Sequence, residues 1–123
     1  MEKVVTENAP KALGPYSQGI IINGMVYTSG MLGINPKTNT LEDGIENQAN
    51  QAFKNIEAIV TMAGSSLDKV VKTTVYLSDL SNFGIVNDIY DKYFISKPAR
   101  SLCEVKALPK GALIEIEAIA YIE

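Results

Sequence analysis

The chain has 123 residues, of which 46% are apolar and 20% are charged, and it contains no histidine. This balance predicts one globular domain over residues 1–123 and excludes a disordered chain. A net charge of −3 provides no basic field for nucleic acid, and no apolar run is long enough to span a membrane, so neither partner is expected. The single cysteine, Cys103, excludes an internal disulfide, and the absence of a signal-peptide pattern predicts a cytoplasmic protein.

A β-hairpin is the first element that the sequence predicts. Residues 17–22 end in three isoleucines, Asn23-Gly24 follows, and residues 25–31 form a second extended run. Asn-Gly between two such runs is a strong hairpin signal, because both residues tolerate positive φ. A loop is predicted next, at residues 35–39. The sequence does not decide whether residues 3–6 form a short strand.

An amphipathic helix is predicted between Asp43 and Gly64. Asp43 and Glu46 resemble a capping box, and Gly64 is a typical residue for ending a helix. Apolar residues recur between them at helical spacing, so one face of the helix should pack on a sheet. These residues are Ile45, Ala49, Ala52, Phe53, Ile56, Ile59, Val60 and Ala63, whereas Gln48, Gln51, Asn55 and Glu57 occupy other positions.

A strand and a second helix follow the first helix. Residues 69–78 are rich in β-branched side chains, which favour a strand. Ser81 can cap a helix that Pro98 cannot continue. The apolar stripe of this helix consists of Phe83, Val86, Ile89, Tyr90, Tyr93 and Phe94.

Two final strands are predicted, at about residues 100–107 and 112–122, on either side of a turn that contains Pro109-Lys110-Gly111. The order ββ-α-β-α-ββ predicts an α+β fold with a mixed sheet and two helices on one face. The other face of the last strand is too apolar to be simply solvated, so we expect further subunits to cover it in a closed homo-oligomer. The residues on that face are Leu113, Glu115, Glu117, Ile119 and Tyr121.

Arg100 and Glu117 are the candidate chemical groups. An arginine fork can hold a carboxylate through two hydrogen bonds, and a glutamate among apolar strand neighbours requires a reason. If the last two strands form a hairpin with a loop at residues 108–111, Arg100 lies opposite Ile119. It then shares a face with Glu117 as a diagonal neighbour, with the two backbones roughly 7–8 Å apart. A loop one residue longer or shorter moves Arg100 to the other face.

Several motifs, taken together and in order, make the chain resemble the RidA/YjgF family of reactive intermediate deaminases, and they extend over nearly its whole length. They are Thr6-Glu7-Asn8-Ala9-Pro10, Gly14-Pro15-Tyr16-Ser17-Gln18-Gly19, Thr28-Ser29-Gly30, Asn35-Pro36-Lys37-Thr38, Val71-Lys72-Thr73-Thr74-Val75, Pro98-Ala99-Arg100-Ser101 and Ile114-Glu115-Ile116-Glu117-Ala118-Ile119-Ala120.

The resemblance implies a chorismate-mutase-like α+β fold that closes as a homotrimer, with sites in the clefts between subunits. It also implies hydrolysis of 2-imino acids or their enamine tautomers, such as 2-aminoacrylate, 2-iminopropanoate and 2-iminobutanoate, to 2-keto acids and ammonia. Neither a metal nor an organic cofactor is implied. By position, Arg100 would be the carboxylate clamp and Glu117 the group that orients or activates water. Tyr16, Ser29, Gly30 and Asn87 would line the pocket.

The chain departs from the family pattern at two places. Leu102 stands where relatives commonly carry cysteine, and Cys103 should point to the opposite face of its strand, so no catalytic thiol is expected. The segment at residues 95–97 is shorter than in many relatives, so the rim of the pocket and the substrate preference can differ. An alternative function is a regulatory trimer that binds keto acids without turnover. Endoribonuclease activity is disfavoured by the absence of histidine and of net positive charge.

Overall fold

The computed structural model describes residues 1–123, which form nine strands and two helices. The helices are α1 (Gly44–Met62) and α2 (Phe83–Tyr93). The strands are β1 (Glu2–Val4), β2 (Gly19–Ile22), β3 (Met25–Thr28), β4 (Met31–Leu32), β5 (Ile34–Asn35), β6 (Thr40–Leu41), β7 (Val70–Leu77), β8 (Ala99–Glu104) and β9 (Ile114–Tyr121). Neither helix combines the length and the apolar character that crossing a membrane requires.

Seven of the strands make one mixed sheet, in the order β1-β2-β3-β9-β7-β8, with β4 paired to β9 beyond the end of β3. The remaining two, β5 and β6, form a small separate hairpin around the predicted loop. Both helices pack on one face of the large sheet, which confirms the predicted α+β architecture. We call that face the helix side and the other the open face.

The predicted β2–β3 hairpin is confirmed. Asn23 and Gly24 connect the strands with φ values of 52° and 73°, the left-handed region that this tight turn requires. The short N-terminal strand β1, left open by the sequence, pairs antiparallel with β2 and forms one edge of the sheet.

The predicted hairpin between the last two strands is wrong. β8 pairs with β7 in parallel, and β7 in turn pairs antiparallel with β9, so β7 lies between the two. The physical reason is the connection through α2, because a strand–helix–strand unit returns the chain parallel to the strand that it left. β8 also ends at Glu104, earlier than expected, and the chain then crosses to β9 through residues 105–113.

Helix α1 covers the sheet with its apolar face, as predicted; this face is buried except at Ile45 and Ala63, which are partly buried, and two polar residues share it. Asn55 is completely buried and donates from Nδ2 to the carbonyls of Leu32 and Ile34, at 3.1 and 2.9 Å. Gln48 is 4% exposed and accepts from the amide of Leu113 at 2.8 Å. The expectation that both residues lie off the packing face is therefore wrong. Burial is tolerated because each side chain satisfies backbone groups of short strands or loops.

The helix ends are partly as predicted. Gly64, at φ 91°, follows the end of α1 and confirms the terminator, whereas Asp43 makes no side-chain capping bond, so the capping box is absent. Ser81 is not the cap of α2, because it lies in a 3₁₀ turn (Leu80–Asn82) that precedes the helix. Its amide instead donates to the Asp79 carboxylate at 2.9 Å.

Strand β9 confirms the predicted alternation between the two sides of the sheet. Alternate residues from Ile114 to Ala120 are buried under the helices, and Glu115, Glu117 and Ile119 between them are only partly buried. Large apolar side chains remain exposed near these residues at the β2–β3–β9 end of the open face. They are Ile22, Tyr27 and Tyr121, with relative exposures of 42%, 43% and 36%.

Candidate functional site

Arg100 lies on the helix side of the sheet. It is the register partner of buried Thr73 on β7, and its side chain extends towards α2. Nη1 donates to Oδ1 of Asn87 at 2.9 Å, which brings together two of the predicted site residues. The guanidinium carbon is 4.8 Å from the ring centre of Tyr90 and 5.7 Å from that of Phe83. Neutral groups therefore hold this cation in place.

No carboxylate lies within ion-pair distance of Arg100, since the one salt bridge of the chain joins Lys97 and Asp91. The guanidinium opens onto a shallow depression, which we call the Arg100 cleft, lined by Asn87, Tyr90, Asp91, Phe94, Lys97, Pro98 and Arg100. A partly buried arginine with unused donors and no anionic partner is well suited to bind a carboxylate from a ligand.

A second depression, of about 490 Å³, contains the other predicted pocket residues. We call it the Glu115 cleft. Its lining includes Tyr16, Ser29, Gly30, Leu32, Lys110 and Glu115. Glu117, the predicted water-handling group, is not part of this lining. The two clefts share no lining residue.

A β-bulge shapes the floor of the Glu115 cleft. Tyr27 pairs with Ile119 and Met31 pairs with Ile116, so three residues, 28–30, stand opposite two, 117 and 118. The Thr28 hydroxyl supports the bulge, because it accepts from the amide of Ala118 at 3.0 Å and donates to the carbonyl of Ser29 at 2.9 Å. The backbone at Ser29 and Gly30 is thereby turned out of the regular ladder.

Gly30 makes room for the Glu115 carboxylate. A Cβ atom at position 30 would overlap the end of the Glu115 side chain. The carboxylate therefore packs directly on the backbone of the bulge, in a space that exists only because residue 30 has no side chain.

The environment of Glu115 makes it a stronger base than an ordinary glutamate. Burial disfavours the charged carboxylate and is the larger cause of a raised pKa, and the nearby charge of Glu117 raises the pKa further. A carboxylate tuned in this direction is suited to accept a proton from water.

Buried Gln18 fixes the outer wall of the Glu115 cleft. Its side-chain oxygen accepts from the amide of Thr6 at 2.7 Å, and its Nε2 donates to three carbonyls of the segment 6–10, including that of Pro10 at 2.8 Å. Its backbone carbonyl accepts from the amide of Ser29 at 2.9 Å. One residue, through its side chain and its backbone carbonyl, thus ties the segment that leads to Tyr16 to Ser29.

The structure separates Arg100 from Glu117, so the predicted shared face is wrong. Arg100 contacts α2 on the helix side, whereas Glu117 follows the open-face alternation of β9. The error follows from the pairing: β7 stands between the two strands, and its parallel register with β8 sends Arg100 to the same side as Thr73. Within one chain, the predicted site residues fall into two groups on opposite sides of the sheet.

Comparison with known proteins assigns this chain to a family. The family model described as endoribonuclease L-PSP matches residues 6–122. The chain belongs to this family. The resemblance to RidA/YjgF proteins drawn from the sequence motifs is thereby confirmed.

Relatives within the endoribonuclease L-PSP family match over almost their full lengths. A RutC family protein of Pyrococcus horikoshii is 50% identical, over 99% of this chain and 98% of the relative. A Salmonella typhimurium protein named 2-iminobutanoate/2-iminopropanoate deaminase is 46% identical, over 95% of this chain and 94% of the relative. The crystal structure of Escherichia coli TdcF with bound serine has 37% identity and a TM-score of 0.96, with all of both chains covered.

The endoribonuclease L-PSP motifs of this chain include one residue that the sequence analysis did not select, Glu115. Both glutamates of the Ile114-Glu115-Ile116-Glu117 segment lie on the open face, so strand alternation cannot distinguish them. The distinction comes from the neighbouring segment, where Leu32 is the register partner of Glu115 and Gly30 leaves space for the Glu115 carboxylate. Gly30 is the sequence signal that could have identified Glu115. Only the register between β4 and β9, however, shows that the two residues are neighbours.

The two departures from the family pattern have clear structural positions. Leu102 packs against the core on the same side as Arg100, and Cys103 is exposed on the opposite side, as expected from alternation. The short segment at residues 95–97 borders the Arg100 cleft, where Lys97 adopts a φ of 54°.

Proposed function

We propose that this protein is a hydrolytic deaminase that converts 2-imino acids and their enamine tautomers to 2-keto acids and ammonia. Its substrates would be 2-aminoacrylate, 2-iminopropanoate and 2-iminobutanoate. The observation that carries the proposal is a guanidinium without an anionic partner together with a carboxylate of raised pKa, in a chain 46% identical to the Salmonella deaminase. The serine bound to TdcF supports a small amino-acid-like ligand.

Arg100 would bind the substrate carboxylate. The guanidinium has five N–H groups, and the contact to Asn87 uses one of them. The remaining groups can form the two parallel hydrogen bonds that fix the position and the plane of a carboxylate. A fixed carboxylate also fixes the neighbouring imine carbon, which is the atom that water attacks.

Glu115 would act on the water, a role that the sequence analysis gave to Glu117. As the water oxygen bonds to the imine carbon, the carboxylate accepts one water proton and passes it to the imine nitrogen, which gives a carbinolamine and restores the carboxylate. A proton then passes from the new hydroxyl to the amine, the carbon–nitrogen bond breaks, and ammonia leaves a 2-keto acid. The imine carbon is already electrophilic, so positioned groups of ordinary side chains suffice for each step.

A homotrimer would bring the two clefts together. The exposed apolar residues at one end of the open face support burial against other copies, and the separation of the clefts supports sites to which neighbouring subunits contribute different halves. One subunit would supply Arg100 and Asn87, and its neighbour would supply Tyr16, Ser29, Gly30 and Glu115.

Keto-acid release from 2-iminobutanoate generated in solution tests the activity. The wild-type protein should accelerate release, and Arg100→Ala should abolish the acceleration while keeping the fold. A folded wild-type protein that gives no acceleration contradicts the proposal. Calorimetry with 2-ketobutyrate then separates the alternatives, because binding without turnover is the behaviour of a regulatory trimer.

Mixed trimers test the shared site. Arg100→Ala and Glu115→Gln should each be nearly inactive alone, whereas random co-assembly should restore about one quarter of the wild-type sites, since one neighbour can supply each missing group. Mixed trimers that form but remain inactive would show that both residues must come from the same chain.

Nucleic acid is not an expected substrate, although the family description includes a nuclease. The chain has a net charge of −3 and no histidine, and Arg100 is its only arginine. RNA cleavage generally requires a basic surface and acid–base groups with a pKa near neutrality. Cleavage of RNA by protein free of contaminating nuclease, lost on substitution of Arg100, would overturn this expectation.

A further inference from the structure

We propose that Tyr90 is a positioning residue for Arg100: its buried ring holds the guanidinium over the cleft without occupying the donors that bind the substrate carboxylate. The inference rests on the proposed function, because it concerns how the same site holds its carboxylate clamp. The ring centre of Tyr90 is the nearer of the two aromatic centres to the guanidinium carbon, at 4.8 Å.

Tyr90 is held rigidly on all sides. The residue is 7% exposed, and its ring stacks on Phe94 with centres 4.4 Å apart and meets Phe53 edge-on at 5.7 Å. The phenol oxygen is 2.6 Å from the hydroxyl of Thr73. An aromatic ring with two rotatable bonds, fixed at both its face and its tip, provides a surface of constant position.

The anchor and the supported residue are neighbours in the sheet. Thr73 is the register partner of Arg100 in the parallel β7–β8 pair, and both point to the helix side. The hydroxyl contact of Tyr90 therefore fixes the ring relative to the strand position from which Arg100 extends. Helix α2 also carries Asn87, which orients Nη1 from the side.

An aromatic ring is a suitable support for a guanidinium whose N–H groups must remain free to bind the substrate carboxylate. A carboxylate partner would occupy the fork and neutralise the charge that attracts the substrate, whereas an aromatic face attracts a guanidinium without accepting any of its N–H groups. Arginine has several rotatable bonds, so prior ordering reduces the entropy that is lost when the substrate carboxylate binds.

Two substitutions at position 90 distinguish a role of Tyr90 in positioning Arg100 from a role in the stability of the fold. Tyr90→Leu removes the aromatic face and the hydroxyl, and should raise both KM for 2-iminobutanoate and Kd for 2-ketobutyrate by roughly three- to tenfold, with kcat changed by less than about twofold. Tyr90→Phe removes only the hydroxyl, so it should lower the melting temperature but keep KM and Kd within about twofold of the wild type. Equal weakening by both variants, or none by Tyr90→Leu, overturns the inference.

Nuclear magnetic resonance tests the same contact without reference to activity. Arg100 is the only arginine, so its Nε–Hε and Cδ–Hδ signals are unambiguous. The Tyr90 ring current should shift these signals upfield in the wild type and in Tyr90→Phe, and most of this shift should be lost in Tyr90→Leu, in which only the more distant Phe83 ring remains. Signals at random-coil positions in the folded wild type overturn the inference. A shifted signal in a protein without deaminase activity would retain Tyr90 as the support of Arg100 and reject only the proposed function.

Discussion

The Arg100 cleft and the Glu115 cleft hold opposite charges by different means. Side chains of α2 hold the guanidinium, through an amide oxygen and two aromatic rings. Backbone holds the carboxylate, because the β-bulge and Gly30 open a space that a side chain would fill. The cation keeps its full charge for a ligand, whereas the carboxylate is made more basic by burial and by a like charge. Under the proposed function each cleft supplies one half of the reaction, the carboxylate clamp in one and the base in the other.

The largest expected effect separates the two glutamates. Glu115→Gln removes the base and should reduce kcat/KM for 2-iminobutanoate by about 10²–10⁴-fold, the usual contribution of a positioned general base. Glu117→Gln should retain activity within about tenfold, because its carboxylate does not line the cleft. Steady-state kinetics on both variants, with circular dichroism as a control for folding, makes the comparison. Loss of activity in Glu117→Gln alone would restore the role that the sequence analysis assigned to Glu117.

A smaller effect is expected when the space at the bulge is filled. Gly30→Ala places a methyl group against the end of the Glu115 side chain, which is flexible and can move away, so the protein should fold normally. Displacement of the carboxylate by about 1 Å should reduce kcat by about 10²-fold with little change in binding of 2-ketobutyrate. Steady-state kinetics measures kcat, and calorimetry measures the binding of 2-ketobutyrate. Unchanged kcat would mean that the contact between Gly30 and Glu115 has no catalytic importance.

The pH dependence of kcat/KM should report the coupling between the two glutamates. Glu115 must be deprotonated to act as a base, so activity should rise with pH through its raised pKa. Glu117→Gln removes the neighbouring negative charge and should lower the pKa of Glu115, which moves the acid limb of the profile to lower pH. An exposed carboxylate that lines neither cleft provides the control, since Asp68→Asn should leave the limb unchanged. An acid limb at the same pH in the Glu117 variant would contradict the coupling.

The smallest expected effect is that of Glu115→Gln on thermal stability. This substitution should stabilise the fold at neutral pH, although it lowers activity. The pKa of Glu115 is higher in the folded than in the unfolded chain. The stability that this group contributes is therefore complete below its pKa in the unfolded chain, and it is lost as the pH rises through its pKa in the folded chain. At about pH 7 the buried charge therefore costs stability, and Glu115→Gln should melt at a higher temperature than the wild type. At about pH 3, where both states are protonated, the gain should vanish. A variant that melts lower than the wild type at both pH values would show that the carboxylate makes favourable contacts.

Local chemistry made part of this structure predictable from sequence. Asn23-Gly24 requires left-handed backbone, and Gly64 ends α1 in the same region, so both boundaries follow from single residues and their neighbours. The periodicity of α1 predicted its packing face, and alternation in β9 predicted which residues face away from the helices. The family resemblance implied that Arg100 and Asn87 line one pocket, and a hydrogen bond joins the two side chains.

The failures concern information that a local pattern does not contain. Whether β8 joins β9 or β7 depends on the path through α2, which pairing rules for adjacent strands ignore. The choice between Glu115 and Glu117 depends on a glycine about 85 residues earlier in the chain, because only the β4–β9 register brings it opposite. Buried Gln48 and Asn55 are polar, so periodicity placed them outside the core, although distant carbonyl and amide groups require them there.

The central position of β7 has a consequence for how this sequence can vary. Thr73 faces the helices beneath the arginine, whereas Thr74, the next residue, pairs with Glu117 towards the open face. One extra residue within β7 would exchange these sides and disturb both clefts in a single event. Extra residues at 106–108, before the Pro109 and Lys110 that line the Glu115 cleft, would fall in a connecting loop and leave both clefts intact. We therefore expect relatives to differ in length at residues 106–108 and to keep β7 constant in length.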